Sequence, residues 1–387
     1  MLQSLFIYTS LFGVMMVFSL ITHHRHRYSK SLGANQQNDS IWKIYIIFPL
    51  ILFAIVFGMR YDVGTDHLDY LYGYKDKIKV SKGEPLFDLI TNIFQGLNLH
   101  YAYYFTFIAF IQVFLFFYAF KNEKYIYPFL VFFLFTNHEW VFWMNGIRQA
   151  LALCVWLVAV RYIAEKRVWT YLSLCVVSIL FHYSSAILII LYPILSNSKD
   201  YFRSIKQQII LIVAAFAIQT YFVFLLPKAG EILNLYKIVI GGGKAYGKTY
   251  GVEGLLKSYI ESKGTNLVYY SKILINIIVI LYSKNLKDFF NNNYFKVIYS
   301  LFFIGLFTNY MIPVGFISVT RPFVYFYIFE TVIYAFFAYY LIKVRTPQNQ
   351  AMFIGMITLF IGIFFSAIIV ASEESSFLFK FYFDFDN

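Results

Sequence analysis

The stretch LQSLFIYTSLFGVMMVFSLI, Leu2–Ile21, is followed at once by Thr22-His23-His24-Arg25-His26-Arg27. A helix of about 20 residues rises about 30 Å, the thickness of the hydrocarbon core of a bilayer. A cleaved secretion signal carries its cations before the apolar run and small residues after it. Here the order is reversed, so the run reads as a retained first crossing with its basic flank in the cytoplasm.

The pattern repeats along the chain. Further apolar stretches lie at Ile41–Gly58, Tyr101–Phe120, Tyr125–Asn137, Ile147–Ala164, Val168–Phe181, Ser184–Ser196, Gln207–Leu226, Leu267–Ser283, Phe295–Val314, Pro322–Ile342 and Ala351–Ala371. The expectation is an all-α polytopic integral membrane protein, one membrane domain over residues 1–387 with roughly 12 transmembrane helices. Composition agrees: of 387 residues, 60% are hydrophobic and 13% charged. A soluble chain carries about 25% charged residues.

The net charge of +12 sits in short clusters between apolar runs. These are Arg25, Arg27 and Lys30; Lys121 and Lys124; Arg161, Lys166 and Arg167; Lys199, Arg203 and Lys206; Lys284 and Lys287; Lys343 and Arg345. They occupy every second connection, which places those connections in the cytoplasm and both termini outside. No continuous basic face suits nucleic acid. Cys154 and Cys175 fall within apolar stretches and read as small hydrophobes. No internal repeat marks an inverted-repeat transporter.

Two external segments are long. In residues 59–100, Leu86–Phe94 has amphipathic helical spacing and is expected to lie along the membrane surface. Residues 227–266 hold Gly241-Gly242-Gly243 among lysines, without the spacing of a phosphate-binding loop, and read as a large external loop.

The polar residues that could carry chemistry gather at the external ends. Arg60-Tyr61-Asp62-Val63-Gly64-Thr65-Asp66-His67-Leu68-Asp69-Tyr70 opens the first long loop. A helix from Thr65 would put Asp66, Asp69 and Tyr70 on one face. Glu84 precedes Pro85 and could simply cap a helix. Arg148, in Asn145-Gly146-Ile147-Arg148-Gln149-Ala150, stands against the usual placement of arginine, and Arg321 in Thr320-Arg321-Pro322 repeats the anomaly. His182 heads His182-Tyr183-Ser184-Ser185-Ala186. Guanidinium groups form bidentate bonds to phosphate, so Arg148 and Arg321, with Arg60, could hold a lipid diphosphate at the outer face. His182, Asp66 or Glu84 could take a proton from an attacking hydroxyl.

At these residues the sequence resembles the EpsG family of Wzy-like polysaccharide polymerases. The matching pieces are Arg60-Tyr61-Asp62-Val63-Gly64-Thr65-Asp66, Glu84-Pro85-Leu86-Phe87, Arg148-Gln149-Ala150-Leu151-Ala152, His182-Tyr183-Ser184-Ser185-Ala186 and the late Arg321, in family order. His67 departs from the aromatic residue, typically Tyr, expected there.

The resemblance implies polymerisation of exopolysaccharide, capsule or O-antigen repeat units carried on undecaprenyl diphosphate. The setting would be the bacterial cell membrane, with the site facing outside or the periplasm. His182, Asp66 and Glu84 would serve as catalytic groups, Arg148, Arg321 and Arg60 as diphosphate ligands, and Asp62, Asp69, Tyr70 and Gln149 as sugar contacts. Neither a metal nor another cofactor is expected, and a chain-length regulator and a flippase are candidate partners. A glycan ligase using the same donor, an exporter of lipid-linked oligosaccharide and a membrane acyltransferase are the alternatives.

Overall fold

The computed structural model describes residues 1–31, 43–77, 83–197, 199–221, 267–313, 316–370 and 377–384. The large loop expected at 227–266, with Lys82, Glu373, Glu374 and Asp386, lies outside the described residues.

Among the described residues the chain is helical, and its one extended pairing is an isolated antiparallel bridge between Arg60 and Phe381. Among the described residues five helices are long and apolar enough to cross a bilayer, six if one bent pair is counted as a single crossing. Five other apolar stretches form helical segments of 10–17 residues, and Asn293–Met311 forms a helix of 19 residues. The chain is therefore a multi-pass membrane protein. Its contacts divide into two compact units.

The first unit comprises Met1–Tyr162, Val168–His182 and Tyr334–Asn387. Its helices begin with α1 (Leu2–Ser31), α2 (Ile44–Gly58), α3 (His67–Lys75), α4 (Pro85–Gly96) and α5 (Tyr101–Ala119). They continue with α6 (Tyr127–Thr136), α7 (Glu139–Asn145), α8 (Ile147–Ala164) and α9 (Val168–Phe181). The most extensive packing joins α2 to α5. Gly58 makes it possible, since a Cβ there would stand 1.9 Å from Thr106 Oγ1 and 2.6 Å from the Thr106 backbone. Small residues serve such close helix approaches in membranes, where burial of apolar surface cannot drive association.

Helix α8 is deeply buried. Ala150, Leu151, Ala152, Cys154, Trp156 and Ala159 are all fully buried along it. At its far end Arg161 pairs with Glu123 in the α5–α6 connection, a favourable end for a cation. Nearby, His23 Nδ1 lies 2.8 Å from the carbonyl of Tyr125. The α5–α6 connection thus touches the ends of both α1 and α8, whose flanking connections the sequence reading puts on the same side of the membrane.

Helix α4 has only Phe87 buried, while Leu89 and Ile93 are about half exposed. This is the one-sided helix that the spacing of Leu86–Phe94 predicts.

The second unit comprises Ile163–Arg167 and Tyr183–Ile333. It contains a 3₁₀ segment at Tyr183–Ile190, α10 (Leu191–Leu195), α11 (Ile205–Tyr221), α12 (Leu267–Leu281) and α13 (Ser283–Phe290). After these come α14 (Asn293–Met311) and α15 (Ile317–Thr320). Helix α16 (Val324–Lys343) begins in this unit and ends in the first, and α17 (Pro347–Ile369) belongs to the first.

The axis bends by 58° between α12 and α13. A polar cluster fixes α13: Lys287 Nζ donates to Asp200 Oδ1 and to the Phe202 carbonyl, each at 2.6 Å, and lies 4.3 Å from the centre of the Tyr299 ring. Here too, two lysine-bearing connections meet. Phe326 approaches α14 so closely that a Cβ on Gly305 would stand 2.7 Å from its carbonyl oxygen.

Candidate functional site

The segment after α2 turns sharply. Asp62 and Gly64 both have positive φ, at 51° and 102°, a region that suits glycine and costs other residues strain. A Cβ on Gly64 would stand 2.2 Å from Asn145 Oδ1, so the turn packs directly on the α7–α8 corner. Arg60 reinforces this. Its Nη1 donates to the Phe57 carbonyl at 2.5 Å and its Nη2 to the Met144 carbonyl at 3.2 Å, and its guanidinium lies over the Phe105 ring. Two motif pieces that are distant in sequence therefore form one corner.

The C-terminal segment straps this turn from outside. Tyr61 N donates to the Lys380 carbonyl at 2.9 Å, and Tyr382 N to the Met59 carbonyl at 3.0 Å. Phe379 N donates to Ser4 Oγ at 2.9 Å, and Lys380 Nζ pairs with Asp62 at 3.3 Å. Phe377 packs on Trp140, and Tyr382 on His100.

At the centre is Glu84, 2% exposed. It occupies the N-cap position of α4, yet its side chain makes no cap hydrogen bond. One carboxylate oxygen accepts from Arg148 Nη1 at 2.5 Å, and the other lies 2.5 Å from His182 Nδ1. These partners are 64 and 98 residues away in sequence. Arg148 Nε also donates to the Tyr70 hydroxyl at 3.2 Å. Arg148 sits in the first turn of α8, where the helix dipole disfavours a cation, and Glu84 supplies the compensating charge.

Burial works to raise the Glu84 carboxyl, but hydrogen bonds and charge from His182 and Arg148 outweigh it and hold it below the usual carboxylate range. Glu84, ionised, is placed to accept from an Nδ1–H of His182. Burial pushes the Tyr70 phenol up, against the lowering influence of Arg148, so Tyr70 stays a neutral hydroxyl. Arg148 and His182 remain 16% and 20% exposed at the side chain, so both reach an accessible surface.

The other residues singled out in the sequence are distributed as follows. Arg60 is 2% exposed and committed to backbone carbonyls, and burial lowers it to about 10. In this arrangement it braces the corner. Helix α3 starts at His67 rather than Thr65, with Asp66 at its N-cap. Asp69 and Tyr70 therefore do not share a face: Asp69 is exposed and Tyr70 buried, because adjacent helical residues are about 100° apart. Asp62 is taken by Lys380, and Gln149 is buried in the first turn of α8. Arg321 lies in the second unit, half-buried, in the turn between α15 and α16.

His67 is fully buried with neither ring nitrogen hydrogen-bonded, 4.9 Å from Phe105 between ring centres. Burial, aided by the Arg60 charge, holds its pKa well below the usual value, so it packs as a neutral aromatic ring.

No curated protein and no solved structure matches the chain. The family model described as the EpsG family matches residues 43–383, which take in the Arg60 turn, Glu84, Arg148, His182, Arg321 and most of the C-terminal strap. The chain belongs to the EpsG family.

Proposed function

We propose that the protein polymerises oligosaccharide repeat units carried on a lipid diphosphate, undecaprenyl diphosphate being the carrier that the family implies. The observation that carries this reading is the double engagement of Glu84, which joins a candidate base to a phosphate-binding residue at the edge of a membrane domain.

A terminal sugar hydroxyl of one lipid-linked unit attacks the anomeric carbon of the growing chain. The new glycosidic C–O bond forms as the C–O bond to the diphosphate breaks, and the diphosphate leaves with the electron pair. His182 Nε2 accepts the hydroxyl proton, with Glu84 fixing the ring as a carboxylate fixes a catalytic imidazole. Arg148 spends two N–H donors on Glu84 and Tyr70, and its remaining donors meet the developing phosphate charge. Arg321, in the second unit, is a separate diphosphate-binding candidate that the family resemblance implies. Tyr70, whose hydroxyl accepts from Arg148, lines the approach of the sugar.

The charge alternation supports about twelve crossings in the bacterial cell membrane, with this site on the outer or periplasmic side. A flippase supplies the units and a chain-length regulator acts on the product.

The test is glycan length in cells expressing Arg148→Ala, Arg321→Ala or His182→Ala at normal protein level. Single repeat units should persist on the surface without polymer. Loss of all surface glycan with units retained inside would indicate export instead. Polymer that forms but fails to reach its acceptor would indicate a ligase.

A further inference from the structure

The second unit carries a basic pocket that the proposed reaction does not use. Ala164 at the end of α8 and Leu195 at the end of α10 line it, with Lys199 from the connection after α10. Lys296, Val297 and Ser300, from the first turns of α14, complete it. Tyr201 ties the Lys199 connection to α10, its hydroxyl donating to the Ile194 carbonyl at 2.8 Å.

The acids nearest in sequence are already engaged. Asp200 pairs with Lys287 at 2.6 Å, and Glu165 lies 3.9 Å from Arg167. Among the described residues neither the Lys199 nor the Lys296 ammonium takes part in an ion pair or hydrogen bond. Two like charges at one pocket with an apolar wall repel, and an anion between them turns that repulsion into attraction. The first turn of α14 adds partial positive charge on the same side.

Ammonium groups bind phosphate as point charges. The enclosed part of the pocket has room for a single water-sized group, which suits one phosphate oxygen and excludes a base or a sugar ring. Ile190 and Ile194, 59% and 42% exposed and four residues apart, run up to the pocket residue Leu195. Apolar surface therefore adjoins the two cations. A free phosphate leaves that surface bare, whereas the acyl chains of a phospholipid cover it. The charge alternation places these connections on the cytoplasmic side, where anionic lipids attract basic residues near the surface.

We infer that Lys199 and Lys296 form a binding site for the phosphate of an anionic phospholipid, with its acyl chains against Ile190 and Ile194. The site is independent of the polymerase reading.

The test uses the full chain in nanodiscs of phosphatidylcholine with graded amounts of phosphatidylglycerol. Native mass spectrometry counts the retained phosphatidylglycerol, and thermal melting follows its effect. The wild type should retain the lipid and melt higher with it. Lys199→Gln combined with Lys296→Gln should weaken retention about ten-fold or more, the scale of two lost surface cations. Arg203→Gln combined with Lys206→Gln removes the same charge from the same connection outside the pocket, and should change retention little. Equal losses in the two double variants would reveal diffuse attraction and overturn the site, as would a wild type that retains no phosphatidylglycerol. Lys199 is exposed, so Lys199→Gln alone decides the matter if the double variant does not fold. Inorganic phosphate that stabilises the protein as well as the lipid does would overturn the lipid assignment in favour of a soluble anion.

Discussion

Replacing Glu84 with Gln keeps the volume of the side chain but removes its charge. Glu84 is 2% exposed, and its two partners are 16% and 20% exposed at the side chain. Breaking a buried ion pair by neutralising one partner costs roughly 3–5 kcal/mol, and the residual exposure here favours the lower end. About 3 kcal/mol corresponds to a loss on the order of 10²-fold if it falls on the catalytic arrangement. The amide can also donate to Nδ1 of His182, which leaves the proton on Nε2 and removes the base. Glu84→Gln should therefore reduce polymer formation at least about 100-fold at neutral pH in a protein that still inserts into the membrane.

Because the folded-state carboxyl is depressed, the contribution of Glu84 to stability is complete above the usual carboxylate range. It is lost only as pH falls through the lowered value. An assay at pH 7 thus compares a fully ionised Glu84 with an amide. Glycan ladders from cells, normalised to protein level, give the readout. Wild-type ladders from Glu84→Gln would refute the role of Glu84 as the joint between Arg148 and His182.

Three further outcomes follow from the same geometry. Gly64→Ala combines positive φ with a 2.2 Å clash against Asn145, so it should destabilise the turn by more than about 1 kcal/mol and shorten the glycan; thermal melting in detergent gives the first effect. His67→Phe removes two buried, unpaired ring nitrogens and keeps the stack on Phe105, so melting temperature should hold or rise while polymer length is unchanged. Deleting the chain from Phe377 onward removes three hydrogen bonds with backbone donors to the Arg60 turn and the N-terminus, besides the half-exposed Lys380–Asp62 pair. At about 1 kcal/mol each this should cost roughly 3 kcal/mol, visible as a lower melting temperature and diminished polymer.

Much of the architecture is written in the length of the apolar runs and in the alternation of lysine and arginine between them. Both are local signals, and contacts such as His23 with Tyr125 and Lys287 with Asp200 join connections that carry those basic clusters. The roles of individual polar residues are less local. Glu84 before Pro85 reads as a helix cap, and nothing in its neighbourhood reveals partners 64 and 98 residues away. Arg60 and Arg148 look alike in sequence, yet backbone carbonyls take one while the other stays accessible. The strap did carry a signal: Phe377, Phe379 and Phe381 alternate with a period of two up to the bridge at Phe381, as an extended edge should.

The carboxylate between Arg148 and His182 has a consequence for turnover. A site built to grip a diphosphate in a medium of low polarity tends to retain it after bond cleavage, which would stall a polymerase after one addition. Glu84 is a resident anion that competes for the same guanidinium. In the proposed reaction the Arg148–Glu84 pair persists as the spent carrier leaves, so the empty enzyme is electrically satisfied without its product. Rapid repeated addition then depends on a carboxylate that weakens binding, and an arginine left alone there would bind the lipid more tightly and work more slowly.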